Sequence, residues 1–357
     1  MLQLTWSRRV LRFNFPARTS RGALAEHVAY YLHLADPDLP GRRGLGEAAP
    51  LAGLSPDFGP SFEAKVAGFC AEFNQQAHVD LLPRQATELV GAEWPALRFA
   101  LETAALDWAH GGWQVLYDNA FSRGEAGVPI NGLVWMGDAA FMREQIQKKL
   151  AEGYSCLKLK IGSLDFAAEL QLLAEIRAVA GPEQLTLRVD ANGAFSPAEA
   201  PRKLAQLAAF ALHSIEQPIR AGQWDSMAAL CRTSPVPIAL DEELIGVTDA
   251  RQQQAMLAQI RPAYVILKPT LVGGLQASLD WLTRAESLGI GWWLTSALES
   301  NVGLNAISQF AGSYARPGFP QGLGTGQLYH NNVAAPLHIR HGALYYDPDG
   351  EWEALEI

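Results

Sequence analysis

Cysteine is scarce in this chain of 357 residues: Cys70, Cys156 and Cys231 are odd in number, far apart, and form no CxxC pair. That excludes a disulfide framework and a zinc knuckle. No stretch approaches the roughly 18 consecutive apolar residues that a membrane span needs. The opening MLQLTWSRRVLRF has two arginines with no apolar run behind them, so it does not read as a secretory signal. Positive charge is short as well, 28 Lys and Arg against 37 Asp and Glu, a formal net charge of −9. Such a balance leaves no electrostatic footprint for nucleic acid or an anionic membrane surface. The expected partner is a small molecule, and the expected setting is the reducing cytoplasm.

Apolar residues make up 49% of the chain and charged residues only 18%, enough for a large core and a smaller companion domain. From about residue 128, strand and helix alternate. VPINGLVWMG, SCLKLKIG, LTLRVDAN, HSIEQP, PIALDEE, YVILKPT, GWWLTSA and QGLGTGQ read as eight short strands. Between them, LDFAAELQLLAEIRAVAG places Phe166, Leu170, Leu173 and Ile176 on one helical stripe. Ser196-Pro197-Ala198-Glu199 predicts a helix start with a capping box. This order implies right-handed crossovers and a parallel sheet closed as a barrel. An open doubly wound sheet would bring a glycine-rich phosphate turn after its first strand, whereas GLGTG at 322–326 comes last and reads as a turn at the barrel rim.

Charges sit where they are costly, at the C-terminal ends of these apolar strands. Asp190 closes LTLRVD, Glu216 closes HSIE, Asp241 closes IALD and Lys268 closes YVILK, with Lys158 and Lys160 on the strand before them. The intervals from Lys160 to Asp190, Glu216, Asp241 and Lys268 are 30, 26, 25 and 27 residues, each the length of a strand and its return helix. In barrels of this kind that end carries the chemistry. Three carboxylates without histidine or cysteine suit Mg²⁺ or Mn²⁺, with room for a substrate carboxylate; helix capping or pairing with lysine is the alternative use for each acid alone. Lys158 and Lys160 share a strand face with Cα atoms ~6.6 Å apart. Their mutual repulsion, ~2–3 kcal/mol at an effective dielectric of about 20, favours a neutral amine. Lys160, nearer the strand end, is the candidate general base. Lys268 faces it across the barrel, and a Schiff-base role is the alternative for that lysine.

The first ~100 residues differ. LQLTWSRRVLRFNF reads as strand, ALAEHVAYYLHL as helix, and ARTSRG and GRRGLGEAAPLAGLSPDFGP as two polar loops over the barrel mouth. The expectation is an α+β capping domain at 1–105, joined by 328–357, and a barrel at 106–327.

The order KxK (Lys158, Lys160), DxN (Asp190-Ala191-Asn192), IEQP, LDEE and LKP resembles the enolase superfamily, in its muconate-cycloisomerase-like branch. The likeness spans nearly the whole chain, and GLGEAAPL looks like that branch's lid loop. TSALESNVG at 295–303 followed by GLGTG is most similar to the o-succinylbenzoate synthases, although Thr295 and Ala297 stand where serine is commoner. GLGTG lacks the Asp-x-Asp of dipeptide epimerases. The resemblance implies a (β/α)8-type, TIM-like barrel of (β/α)7β form with an α+β cap. It further implies Asp190, Glu216 and Asp241 as Mg²⁺ ligands, with Mn²⁺ as alternative. Lys160 and Lys268 would be catalytic, and Lys158, Ser296, Ser300 and Asn301 would bind substrate. Arg188 and Asn192 would support them. The implied reaction is a metal-dependent dehydration on a carboxylate substrate in menaquinone biosynthesis. N-acylamino acid racemisation is the alternative on the same machinery, and a catalytically silent metal-binding barrel the alternative of another class. A homo-oligomer is left open.

Overall fold

The computed structural model describes residues 1–19, 22–76, 78 and 80–355. An antiparallel sheet opens the chain, with β1 (Gln3–Thr19), β2 (Gly22–Ala35) and β3 (Arg43–Ala48) in that order. The stretch expected to be helical, ALAEHVAYYLHL, is therefore strand. From Ala29 on both of its faces are covered: Tyr30, Leu32 and Leu34 join the core under the helices, and Ala29 and Tyr31 join a second core facing the barrel. A strand buried on two sides reads as one continuous apolar run, which periodicity cannot tell from a buried helix. ARTSRG continues the hairpin instead of forming a loop, with Ala17 opposite Leu24 and Thr19 opposite Gly22. Ser20 and Arg21 of that segment lie outside the described residues.

The glycine-rich segment also begins as strand. Helices α1 (Phe62–Asn74), α2 (Pro83–Leu89) and α3 (Pro95–Ala109) follow, and α3 lies hard against β3. A Cβ at Gly44 would stand 2.1 Å from the Ala104 carbonyl oxygen, and one at Gly46 1.9 Å from that of Ala100. Glycine is what lets the two backbones approach.

After β4 (Val128–Pro129) the barrel begins. Its elements are β5 (Gly132–Val134), α4 (Ala139–Ala151), β6 (Cys156–Lys160), α5 (Phe166–Val179), β7 (Thr186–Asp190), α6 (Ala200–Leu207), β8 (Ser214–Glu216) and α7 (Trp224–Thr233). They continue with β9 (Ile238–Leu240), α8 (Ala250–Ile260), β10 (Tyr264–Leu267), α9 (Pro269–Val272), α10 (Leu275–Ser287), β11 (Gly291–Leu294) and α11 (Asn301–Tyr314). Seven strands form one parallel sheet in the order β11-β10-β9-β8-β7-β6-β5. The expected eighth strand, QGLGTGQ, is not a regular strand. It closes the ring through single bridges, Gln321 to Ile130 and Gly322 to Thr295. Gln321 N–H donates to Pro129 O at 2.8 Å and Gly322 N–H to Leu294 O at 2.8 Å.

The helix expected to start at Ser196 starts at Ala200. Ser196 and Glu199 do bond each other, with Ser196 Oγ donating to Glu199 Oε2 at 3.1 Å, but within a preceding turn. Pro201 has no N–H to give Pro197, so the helical ladder cannot run back to it.

Toward the C-terminus, β12 (Leu337–Arg340) pairs with β13 (Ala343–Tyr346), which pairs with β4. The neighbouring segments bind β1: Asn14 N–H donates to Leu328 O, Arg12 N–H to Asn331 Oδ1, and Arg9 forms an ion pair with Glu353.

Candidate active site

Parity places the charges. In β6 every residue is buried: Leu157 and Leu159 face the helices while Lys158 and Lys160 face the barrel interior. Register then aligns the strand ends, with Lys160 opposite Asp190 and Asp190 opposite Glu216. Asp241 and Lys268 follow directly on β9 and β10. Strands β6 and β10 stand four places apart in a ring of eight, so Lys160 and Lys268 face each other.

The cluster is fully internal and its charges are interleaved. Asp190 Oδ2 lies 3.1 Å from Lys158 Nζ and 2.9 Å from Lys160 Nζ. Lys158 also touches Glu216, and Lys268 touches Asp241. The expected repulsion between Lys158 and Lys160 is thus offset by the carboxylate both ammoniums face. Burial opposes charge on Lys158 and Lys268, but Asp190, Glu216 and Asp241 outweigh it for Lys158, as Asp241 and Glu216 do for Lys268, and both pKa values are raised. Burial likewise opposes ionisation of Asp190, yet the three lysines hold it well below the usual carboxylate range. Glu216 goes the other way, pushed up by burial and by Asp190 and Asp241 despite Lys158.

Lys158 contacts Glu216 as an ion, but neither Glu216 oxygen accepts an aligned hydrogen bond. Among the described residues no three acidic, histidine or cysteine side chains already stand as a preformed metal cage. Lysine ammoniums occupy the space between the acids instead. The donor set still fits a hard divalent cation. Three carboxylates repel one another, one of them has an orphaned buried oxygen, and all donors are oxygen.

Asn192 adopts φ 45° just past β7, accepts from Lys160 Nζ at 3.0 Å and donates to Glu242 at 3.2 Å. Arg188 lies deeper. It is stacked 4.2 Å from the Trp293 ring centroid and 4.9 Å from that of Phe319, and it donates to Pro320 O at 2.9 Å.

Above the cluster is an open pocket whose empty space, its mouth included, is about 650 Å³, with Lys158, Lys160, Asn192 and Lys268 at its floor. The capping domain supplies Leu51 and Leu54. Trp135, past the end of β5, brings its ring centroid to 5.9 Å from Lys160 Nζ. Leu298 holds φ 71°, a strained conformation for leucine, and also borders the cavity. Of the four residues expected to bind substrate, Lys158 and Ser296 line it, while Ser300 and Asn301 do not. Ser300 Oγ caps α11 and donates to Glu47 Oε2 at 2.6 Å, and Asn301 Nδ2 donates to Val333 O at 2.7 Å. Their polarity is used to start a helix and to fasten the cap. Leu51, Leu54, Asn131 and Trp135 were not singled out by sequence; the polar Asn131 inside the apolar run VPINGLV was the available signal.

Similarity to known proteins follows this geometry. Residues 141–350 match the sequence model of the family described as Enolase C-terminal domain-like. An o-succinylbenzoate synthase of Desulfotalea psychrophila is 48% identical, over 96% of this chain and 98% of that protein. A second o-succinylbenzoate synthase, from Thermosynechococcus vestitus, is 30% identical over 82% of this chain and 83% of its own length. The crystal structure of MenC from Desulfotalea psychrophila LSv54 superposes with a TM-score of 0.85 at 44% identity, covering 96% of this chain and 99% of that one. With the barrel matched by the family model and a relative aligned nearly end to end, the chain belongs to the Enolase C-terminal domain-like family of the enolase superfamily.

Proposed function

We propose that this protein is a hydro-lyase that converts 2-succinyl-6-hydroxy-2,4-cyclohexadiene-1-carboxylate to o-succinylbenzoate, the aromatising step of menaquinone biosynthesis. The observation that carries the reading is the pairing of Lys160 and Lys268 across one pocket, beside three strand-end carboxylates, in a chain nearly half identical to a protein of that name. Asp190, Glu216 and Asp241 would hold a divalent cation, Mg²⁺ in the first instance and Mn²⁺ as the alternative. When bound, the cation supplies positive charge to the substrate carboxylate, which makes the adjacent α-proton easier to remove. Residues 1–105 with 328–357 act as the cap over a barrel at 106–327.

The residues divide the work by position. Asp190 and Asp241, now ion-paired to Lys160 and Lys268, would be shared with a bound cation, which would leave the two lysines to act on the substrate. Lys160 takes the α-proton; the electron pair left behind forms the new ring double bond as the C–O bond to the hydroxyl breaks. The same ammonium then protonates the departing hydroxyl, so water leaves on the face where the proton was taken. Lys268 stays charged and stabilises the enediolate from the other side. Lys158 holds the substrate carboxylate, and Leu51, Leu54 and Trp135 keep water from the reacting carbon.

Two lysines on opposite sides also favour a second reading, two-base racemisation of N-acylamino acids. Purified protein with Mg²⁺ is given the cyclohexadiene and, separately, N-succinyl amino acids in D₂O. Rapid aromatisation that stops on chelation supports the dehydratase, and efficient racemisation without dehydration overturns it. Lys268→Arg sharpens the choice, because guanidinium keeps the charge but will not deprotonate near neutral pH. Dehydration tolerates it in part; two-base racemisation does not.

A further inference from the structure

The parallel strands border a second concavity at their N-terminal ends, opposite the candidate active site. Tyr264 at the start of β10, Trp292 in β11, Tyr314 at the end of α11 and Phe319 line it, together with the charged Glu286 and Arg316. Its empty space, mouth included, is about 1060 Å³. Tyr264 stands four residues before Lys268, ~13 Å at the usual strand rise, and the two pockets share no lining residue.

Its aromatic faces are held from behind. Tyr264 stacks on His213 with ring centroids 4.8 Å apart and meets Trp293 at 5.5 Å, and Phe319 lies 6.3 Å from Trp293. Trp292 Nε1 donates to Glu286 Oε1 at 2.9 Å, which fixes the indole and occupies that acid. A Cβ at Gly291 would stand 2.6 Å from the Tyr264 ring, so glycine lets the ring lie against the neighbouring strand, while a Cβ at Gly289 would meet nothing within 4 Å. Tyr264, Trp292 and Phe319 are nevertheless only partly buried, and Tyr314 is 41% exposed. Rigid aromatic surface left open in a concavity is the lining of a small-molecule site. Arg316 is exposed there, and among the described residues its guanidinium has no partner. A planar donor fork beside aromatic faces suits a carboxylate carried on a ring.

We propose that this N-terminal face of the barrel binds an aromatic monocarboxylate, its ring against Tyr264, Trp292 and Phe319 and its carboxylate on Arg316. Glu286, in the same concavity, repels a second anionic group, which limits the class to one negative charge. The site is independent of the strand-end lysines and of the reaction they perform.

The test is calorimetric titration of the full chain with Mg²⁺ against three probes of one ring: 1-naphthoate, the uncharged 1-naphthamide and the cationic 1-naphthylmethylamine. Naphthoate is expected to bind, and Arg316→Ala to weaken it about fivefold to tenfold while naphthamide moves about twofold or less. Arg316→Lys should recover part of that loss. Ala315→Trp, which fills the concavity, should weaken naphthoate and naphthamide alike, and the exposed Arg316→Ala carries the comparison if that variant does not fold. Absence of naphthoate binding overturns the proposal. So does an equal loss for naphthoate and naphthamide in Arg316→Ala, or naphthoate affinity unchanged in both variants, which would place it elsewhere on the molecule. Naphthylmethylamine binding more tightly than naphthoate would overturn it in favour of a cation site at Glu286.

Discussion

Replacing Glu216 with Gln keeps the size of the side chain and deletes its charge at the centre of the acid cluster. Cation affinity, read by calorimetry, and turnover should both collapse, while circular dichroism stays unchanged. Full activity of that variant would remove Glu216 from the ligand set. The two lysines of β6 should separate in kinetics. Lys160→Ala should lose about 10⁴-fold or more in kcat, since proton abstraction and leaving-group protonation both depend on it. Lys158→Ala should act mainly through KM. Equal kinetics for the two would refute the division of roles. The residues at strand ends were legible in sequence because parity and interval fix them without tertiary knowledge. Leu51 and Leu54 were not, since they meet the lysines only when a distant segment is brought over the mouth, and Asn131 and Trp135, which flank β5, carry no charge to mark them. Ser300 and Asn301 show the converse: adjacency to Ser296 in sequence suggested substrate contact, but the start of α11 turns them away.

The clearest misreading belongs to β2, where an apolar run buried on both faces imitated a helix. The barrel strands did better because each was short, β-rich and bounded by a turn. Their eighth member failed as a strand for a physical reason: Gly322 must pass within van der Waals reach of Thr295, and single bridges suffice for closure. Element packing gives its own prediction at Gly46. An alanine there would drive its Cβ into the Ala100 carbonyl, so Gly46→Ala should destabilise by about 1–3 kcal/mol or more in denaturant titration. A stability close to wild type would mean that β3 and α3 can separate without loss.

For the molecule as a whole, Glu47 is the joint between cap and barrel. It is fully buried and accepts from Ser300 N at 2.7 Å, Ser300 Oγ at 2.6 Å and Gly303 N at 2.7 Å, at the start of α11. Burial, opposed by these bonds and reinforced by Glu299, pushes its pKa up to about 7; Tyr31 and Tyr329 also face it. A raised carboxyl pKa means that folding takes up a proton here. The resulting stability is present below about pH 4.5 and is lost as pH rises through about 7. Wild type measured against Glu47→Gln should therefore lose relative stability over that window, on the order of 3 kcal/mol. A pH-independent difference would show that Glu47 stays ionised throughout.

The ring closure has a consequence for biosynthesis. Gln321 and Gly322 are the residues that join the segment leading into β5 to the end of β11, and the cap's own strand β1 waits for partners between 328 and 353. On the ribosome, the first 320 residues have therefore been made while both borders of the parallel sheet are still open templates for another chain. Nascent chains stalled before residue 321 should be protease-sensitive and prone to bind chaperones, and synthesis through residue 353 should convert them to a resistant form in one step. The closing wall of the barrel and the fastening of β1 thus arrive almost together.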